Sequence, residues 1–242
     1  MAQEAVEEAP DLETSSEAYA RRFSGPVGEW FLEVQARATR RLLPSLSGGT
    51  ALDVGGGHGQ LVEPVLGAGY SLTIFGSHKE VPGRLADAVQ AGRLRFASGD
   101  LLSLPFEKGA FDVVLAYRLL PHVPRWAELI AELCRVASRA VIVDYPTSRS
   151  VNALAGLLFS LKKDVESDTR PFQVFDDGDV RKAFGAAGYR QTGRLGEFVL
   201  PMALHRGLGR ARLSRAAEGA LGALGLARLF GSPVILRAER LA

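Results

Sequence analysis

Residues 51–60, ALDVGGGHGQ, pass from an apolar run into four glycines within five positions. Asp53 opens the spacing acid-x-Gly-x-Gly-x-Gly with Gly55, Gly57 and Gly59. Glycines there remove the Cβ atoms that would hold a ligand away from the backbone. Asp100 closes the run LRFASGD, and Asp144 and Tyr145 close AVIVDY. RLLPH supplies His122, a residue type whose ordinary range suits proton transfer at neutral pH. His122 and Asp144 are therefore the candidate general bases, each with a loop-capping role as its alternative. His58 lies inside the glycine run at a helix start, where the dipole disfavours an imidazolium, so it reads as a neighbour of the ligand. His205 is a weaker candidate.

Other chemistries fail on spacing. The dinucleotide fingerprint needs a glycine at its sixth position, which is Gln60 counted from Gly55 and Val62 counted from Gly57. No Gly-Lys-Ser/Thr follows, so a P-loop is excluded, and G-x-S-x-G is absent. The single cysteine, Cys134, excludes an intrachain disulfide and reads as a core thiol. Four histidines without an H-x-x-x-H pair predict no metal site. The net charge of +2 gives no general attraction to nucleic acid.

These residues need a scaffold that gathers them. Strand signals in ALDV, YSLTIF, LRFAS, FDVVLAY and AVIVDYP alternate with helical signals from Gly59 to Leu66, in RLADAVQA and in WAELIAELCRVA. FDDGDVRKAFGAAGY reads as a further helix, and GEFVLPM and PVILRAERL as closing strands. The alternation predicts an α/β fold: a Rossmann-like, seven-stranded, mostly parallel sheet with helices on both faces and an antiparallel closing strand. Ligands in such sheets bind outside the carboxyl ends of the strands. That rim would carry 55–59, 76–78, Asp100, 117–122 and 144–146.

On these residues the chain resembles class I S-adenosylmethionine-dependent methyltransferases. It is nearest to the small-molecule group that includes quinone-biosynthesis enzymes, type 11. The resemblance is carried by Asp53 with its alternating glycines and by GDLLSLPFEKGAFDVVLAYRLLPHV at 99–123, and it covers about residues 49–145. It implies S-adenosyl-L-methionine as cofactor, held by Asp53, Gly55, Gly57 and Gly59. Asp100 would accept from the adenine amino group, with Leu101 beside the ring. It implies in-line methyl transfer to a small-molecule acceptor. The Asn/Asp-Pro-Pro-aromatic signature of amino-directed DNA methyltransferases is missing after the fourth strand, where AYRLL stands.

One departure stands out. Relatives end the second strand in an acid that binds both ribose hydroxyls; the corresponding residue here is Gly76. Ser77 offers one substitute contact and Glu80 another from the following turn. A site completed by substrate, and a vestigial site, are the alternatives. A non-catalytic binding protein of the same fold is thus a rival to an enzyme, as is an enzyme using the pocket for other chemistry.

The flanks are less informative. Residues 1–18 carry six acids and no base and read as a disordered tail, with a single domain over 19–242. Within it 19–48 form a helical cap, in which Trp30 reads as core. Residues 146–175 form an acceptor-side insertion in which Arg149 and Arg170, with Tyr145 just before it, would meet an anionic or aromatic acceptor. The basic stretch 205–231 is a helical insertion read as packing or lid, with a homodimer face or an anionic membrane surface as alternatives, and Leu213, Ala217, Leu221 and Leu224 recur in it at helical spacing. No leading segment resembles a signal peptide, and the uncharged runs fall short of the roughly 20 residues that cross a bilayer. A cytoplasmic protein without membrane insertion is expected.

Overall fold

The structure, a computed structural model, describes residues 11, 16–46, 48–151 and 173–241. Its strands are β1 (Thr50–Val54), β2 (Ser71–Gly76), β3 (Arg95–Ser98), β4 (Phe111–Ala116), β5 (Ala137–Tyr145), β6 (Tyr189–Phe198) and β7 (Ser232–Arg240). They form one sheet in the order β3-β2-β1-β4-β5-β7-β6. The first five are parallel, and β7 runs antiparallel between β5 and β6. β1 has β2 on one side and β4 on the other, so successive crossovers diverge there and open a crevice beyond its carboxyl end. This is the architecture that the alternating signals predict.

The helices are α1 (Glu17–Arg21), α2 (Gly25–Leu42), α3 (Val62–Leu66), α4 (Gly83–Gln90), α5 (Trp126–Val136), α6 (Asp177–Ala186), α7 (Met202–Leu208), α8 (Ala211–Ala223) and α9 (Leu226–Phe230). Single 3-10 turns occupy Gly56–His58 and Leu120–His122. The period of two along the strands divides the core. Leu52, Val54, Val114, Val141 and Val143 face α5 and α6, where Cys134 is buried as expected. Ala51, Val113, Leu115, Ala140 and Ile142 face the other way, with Leu42, Leu61, Val65 and Leu85. Asp53 and Asp144 continue the second series, so both acids reach the rim on one face.

Three boundaries differ from the sequence reading. The helical cap expected over 19–48 is interrupted at 22–24, because Gly25 adopts φ +74° and Pro26 is accommodated only in a first turn. The helix expected from Gly59 begins at Val62, since Gly59 is left-handed at φ +75°. The sixth strand begins at Tyr189, seven residues before GEFVLPM. It is an edge strand, half-buried and polar along most of its length, so it lacks the apolar alternation of an inner strand.

A third apolar cluster joins the helical cap to the basic insertion: Phe23, Val27, Trp30, Phe31 and Phe198. Trp30 packs edge-on against Phe198 and His205. The stripe read from spacing in the insertion is not a buried one, as Leu213 is 53% and Leu224 75% exposed. The insertion is anchored instead by Glu218. Its carboxylate accepts from the amides of Val199 (2.9 Å) and Leu200 (2.8 Å) and lies 3.0 Å from Nε2 of the buried His205. Among the described residues no helix is long and apolar enough to cross a membrane.

Removing that anchor strands two amides and an imidazole. Glu218→Ala is expected to lower unfolding free energy by about 2–4 kcal/mol, and Glu218→Gln by about 1 kcal/mol, in urea titrations.

Candidate active site

The crevice is built around the turn after β1. Gly55 has φ +76°, and its amide donates to the Phe75 carbonyl at 2.8 Å, pinning the turn to the end of β2. Beneath it lies Asp53, 1% exposed. A Cβ on Gly56 would fall 2.1 Å from Asp53 Oδ2, so the glycine outside the alternating motif is the one that makes room for the acid. Both carboxylate oxygens of Asp53 are buried without a hydrogen-bond partner among the described residues. Burial, reinforced by the charge of Asp144, raises its pKa to about 8. A buried acid with no partner, under a bare-backbone turn, suits a ligand that brings a cationic donor.

At the end of β2, Gly76 leaves the strand tip without a side chain, and Glu80 is exposed. Ser77 is half-buried, with its Oγ unpartnered among the described residues. Its amide donates to Oδ2 of Asp11 at 2.9 Å. Asp11, assigned by composition to the acidic tail, is 3% exposed in this crevice. Asp100 is exposed and uses Oδ1 to accept from the Leu102 amide at 2.8 Å. Leu101 is sealed in the core with Phe75 and Leu104, so its side chain has no surface left to offer a ring.

The adjoining cavity, about 220 Å³, is lined by Tyr19, Phe23 and Phe31 of the cap, by Arg118, His122, Asp144 and Tyr145 of the sheet rim, and by Glu197 and Arg206. Tyr19 and Phe23 also pack edge-on against His58, which joins the cavity to the glycine turn. Arg118 is its centre. This residue has φ +57°, an uncommon backbone for a residue with a Cβ, and its amide donates to Asp144 Oδ1. Its guanidinium sits 4.0 Å from the Phe23 ring centroid and donates to Gln35 Oε1 at 3.2 Å. Nη1 is buried and unpartnered among the described residues.

Two more acids surround it. Burial raises Asp144 to about 6, partly offset by the Arg118 amide and charge. Burial and then Asp144 raise Glu197 to about 8, with Arg118 opposing. At neutral pH Asp53 and Glu197 are therefore largely protonated and Asp144 largely ionised. Arg206 is shifted down by burial and then by the neighbouring Arg22 and Arg118 charges. Three guanidiniums thus converge on the cavity against one ionised acid.

Of the residues expected to do chemistry, His122 and Asp144 line this cavity together. Tyr145 lines it too, but its hydroxyl donates to Asp177 at 3.1 Å. Arg149 lies elsewhere, lining a second cavity with Arg41, Asp177, Arg181, Arg194 and Arg228. Arg170 lies outside the described residues, as does most of the 146–175 insertion. Sequence reasoning passed over Arg118, Glu197, Gln35, Arg206 and Asp11. Two had a signal: Arg118 is the first charge after an apolar strand, and Glu197 is a lone acid before Phe198 and Val199.

Residues 52–142 match the family described as methyltransferase domain. No curated protein matches the sequence. Among solved structures, magnesium protoporphyrin IX methyltransferase from Synechocystis PCC 6803, with bound SAH, superposes with TM-score 0.66 at 17% identity, covering 94% of this chain and 96% of that one. A geranyl diphosphate methyltransferase in complex with GPP and sinefungin gives 0.63 at 15% identity, covering 96% and 86%. The [4+2]-cyclase SpnF gives 0.57 at 20% identity, covering 87% and 80%. The fold is that of the class I methyltransferases.

The acid cluster carries a pH signature. A carboxyl whose pKa is raised by folding stabilises the protein fully below its unfolded pKa, near 4, and that stability is lost as pH climbs through its folded pKa. Stability is thus expected to fall as pH rises through 6 to 8. Glu197→Gln should shrink the loss between pH 5 and pH 9 by on the order of 1–3 kcal/mol in denaturant titrations. A wild type equally stable at both values would contradict the buried acids.

Proposed function

We propose that this chain, carrying a methyltransferase domain on the class I fold, is an S-adenosylmethionine-dependent methyltransferase acting on a compact anionic small molecule. The observation that carries the reading is the buried, unpartnered carboxyl of Asp53 beneath the Gly55–Gly59 turn. Asp53 would hold the cofactor's ammonium, with Gly55, Gly57 and Gly59 allowing backbone approach. Ser77 would bind the ribose and Asp100 the adenine amino group. Leu101, its side chain in the core, would contribute only main chain. The cofactor supplies a methyl group already activated on a sulfonium.

The protein's own task is then alignment and exclusion of water. The aromatic wall of Tyr19, Phe23 and Phe31 would exclude water, and Nη1 of Arg118, unpartnered among the described residues, would fix an anionic group of the acceptor. Asp144 is committed to the Arg118 amide and so positions that guanidinium. His122 is left to take a proton from a hydroxyl or ammonium acceptor. The diphosphate named in one structural neighbour is an acceptor of the same charge class.

Calorimetry with S-adenosylmethionine and S-adenosylhomocysteine tests the cofactor assignment. Micromolar binding is expected, weakened about tenfold or more by Asp53→Asn. No heat at millimolar ligand would leave a non-catalytic binding protein. Turnover is read as S-adenosylhomocysteine formed with a panel of small carboxylates and phosphates. His122→Gln should lower it by roughly 10²–10⁴-fold while leaving cofactor binding intact. Cofactor-dependent change in an acceptor without that product would point to other chemistry, as the name of the cyclase neighbour denotes.

A further inference from the structure

We infer that Asp11, delivered from the N-terminal segment, is the carboxylate that receives the ribose diol at the tip of β2, where Gly76 supplies none. The inference rests on the proposed cofactor and adds a residue to its site. A vicinal diol leaving water for a crevice needs acceptors there, and a carboxylate fitted to both hydroxyls is the strongest uncharged-ligand match available. Within the strand tip itself, Gly76–Ser77, the side-chain acceptor is the Ser77 hydroxyl.

Asp11 fills that gap from 66 residues upstream of Ser77. Its Oδ2 accepts from the Ser77 amide at 2.9 Å, which aims the carboxylate along the strand end. A Cβ on Gly76 would stand 3.3 Å from the same Oδ2, so the acid lies where a side chain at 76 would project. Its Cβ is 3.6 Å from the corresponding point on Gly55, so it spans the gap between the two strand ends that bound the crevice. At 3% exposure it is not a solvated tail charge. The tip of β2 needs a carboxylate, and this chain brings one in through space.

The test uses the full chain and calorimetric affinity, with S-adenosylhomocysteine and its 2′-deoxy analogue as probes. Wild type should prefer the diol-bearing ligand. Asp11→Asn should weaken S-adenosylhomocysteine about tenfold or more and erase that preference, with an unchanged thermal melt. Asp11→Ala with Gly76→Asp should recover affinity to within about threefold, because Asp11→Ala clears the 3.3 Å contact and leaves Phe96, at 3.5 Å, as the nearest neighbour of the new Cβ. Asp11→Asn that leaves affinity unchanged, or weakens both ligands equally, overturns the inference. A tighter Asp11→Asn variant also overturns it, and makes the segment a plug. A wild type that binds neither probe removes the cofactor assignment itself; failure confined to Asp11→Asn leaves that assignment standing.

Discussion

Holding buried carboxyls beside the guanidiniums of Arg22, Arg118 and Arg206 in one crevice is the constraint on which this molecule turns. Asp53 and Asp144 share a face because parallel neighbours keep the same pleat, and Arg118, two residues past the end of β4 between them, answers the charge of Asp144. Arg118 does so with its amide as well as its guanidinium, and its left-handed backbone is what turns that amide toward Asp144. Isolated charges at such depth would be prohibitive, so two of the acids retain protons. The site is accordingly a set of groups held short of full compensation: among the described residues Asp53 meets no donor and Nη1 of Arg118 no acceptor. Ligands that supply both complete it.

The rest of the architecture serves that arrangement. The cap and the basic insertion are remote in sequence, yet they meet through Trp30, Phe31, Phe198 and His205 to roof the crevice. Glu218 ties the insertion to the strand end that carries Glu197. On the opposite side of the rim Asp177 takes bonds from Tyr145, Thr147 and Arg194, fixing the end of β5 against α6. Asp144 and Glu197, which line the cavity, therefore stand on two braced strand ends.

Some of the site was legible from residue types alone. A strand ending in an acid and spaced glycines, and a second acid about forty-five residues on, have few structural uses. The edge strand β6 was misplaced because one side of its pairing is solvent, which removes the selection for apolar alternation. Gly56 escaped the alternating motif because its role is steric, set by the side chain that folds back beneath it. Arg149 was assigned to the acceptor by proximity to β5, but a turn of chain carried it to another cavity.

What the sequence determined by itself was the alternation of strand and helix, the bare turn after β1 and the missing acid at 76, since each depends on side-chain chemistry within a few residues. What only the tertiary structure decided was which charges meet. Asp11 with Ser77, Arg118 with Asp144 and Gln35, and Glu197 with both are pairings across 26 to 83 residues. Their energies come from shared burial, and burial belongs to the packed chain rather than to any segment of it.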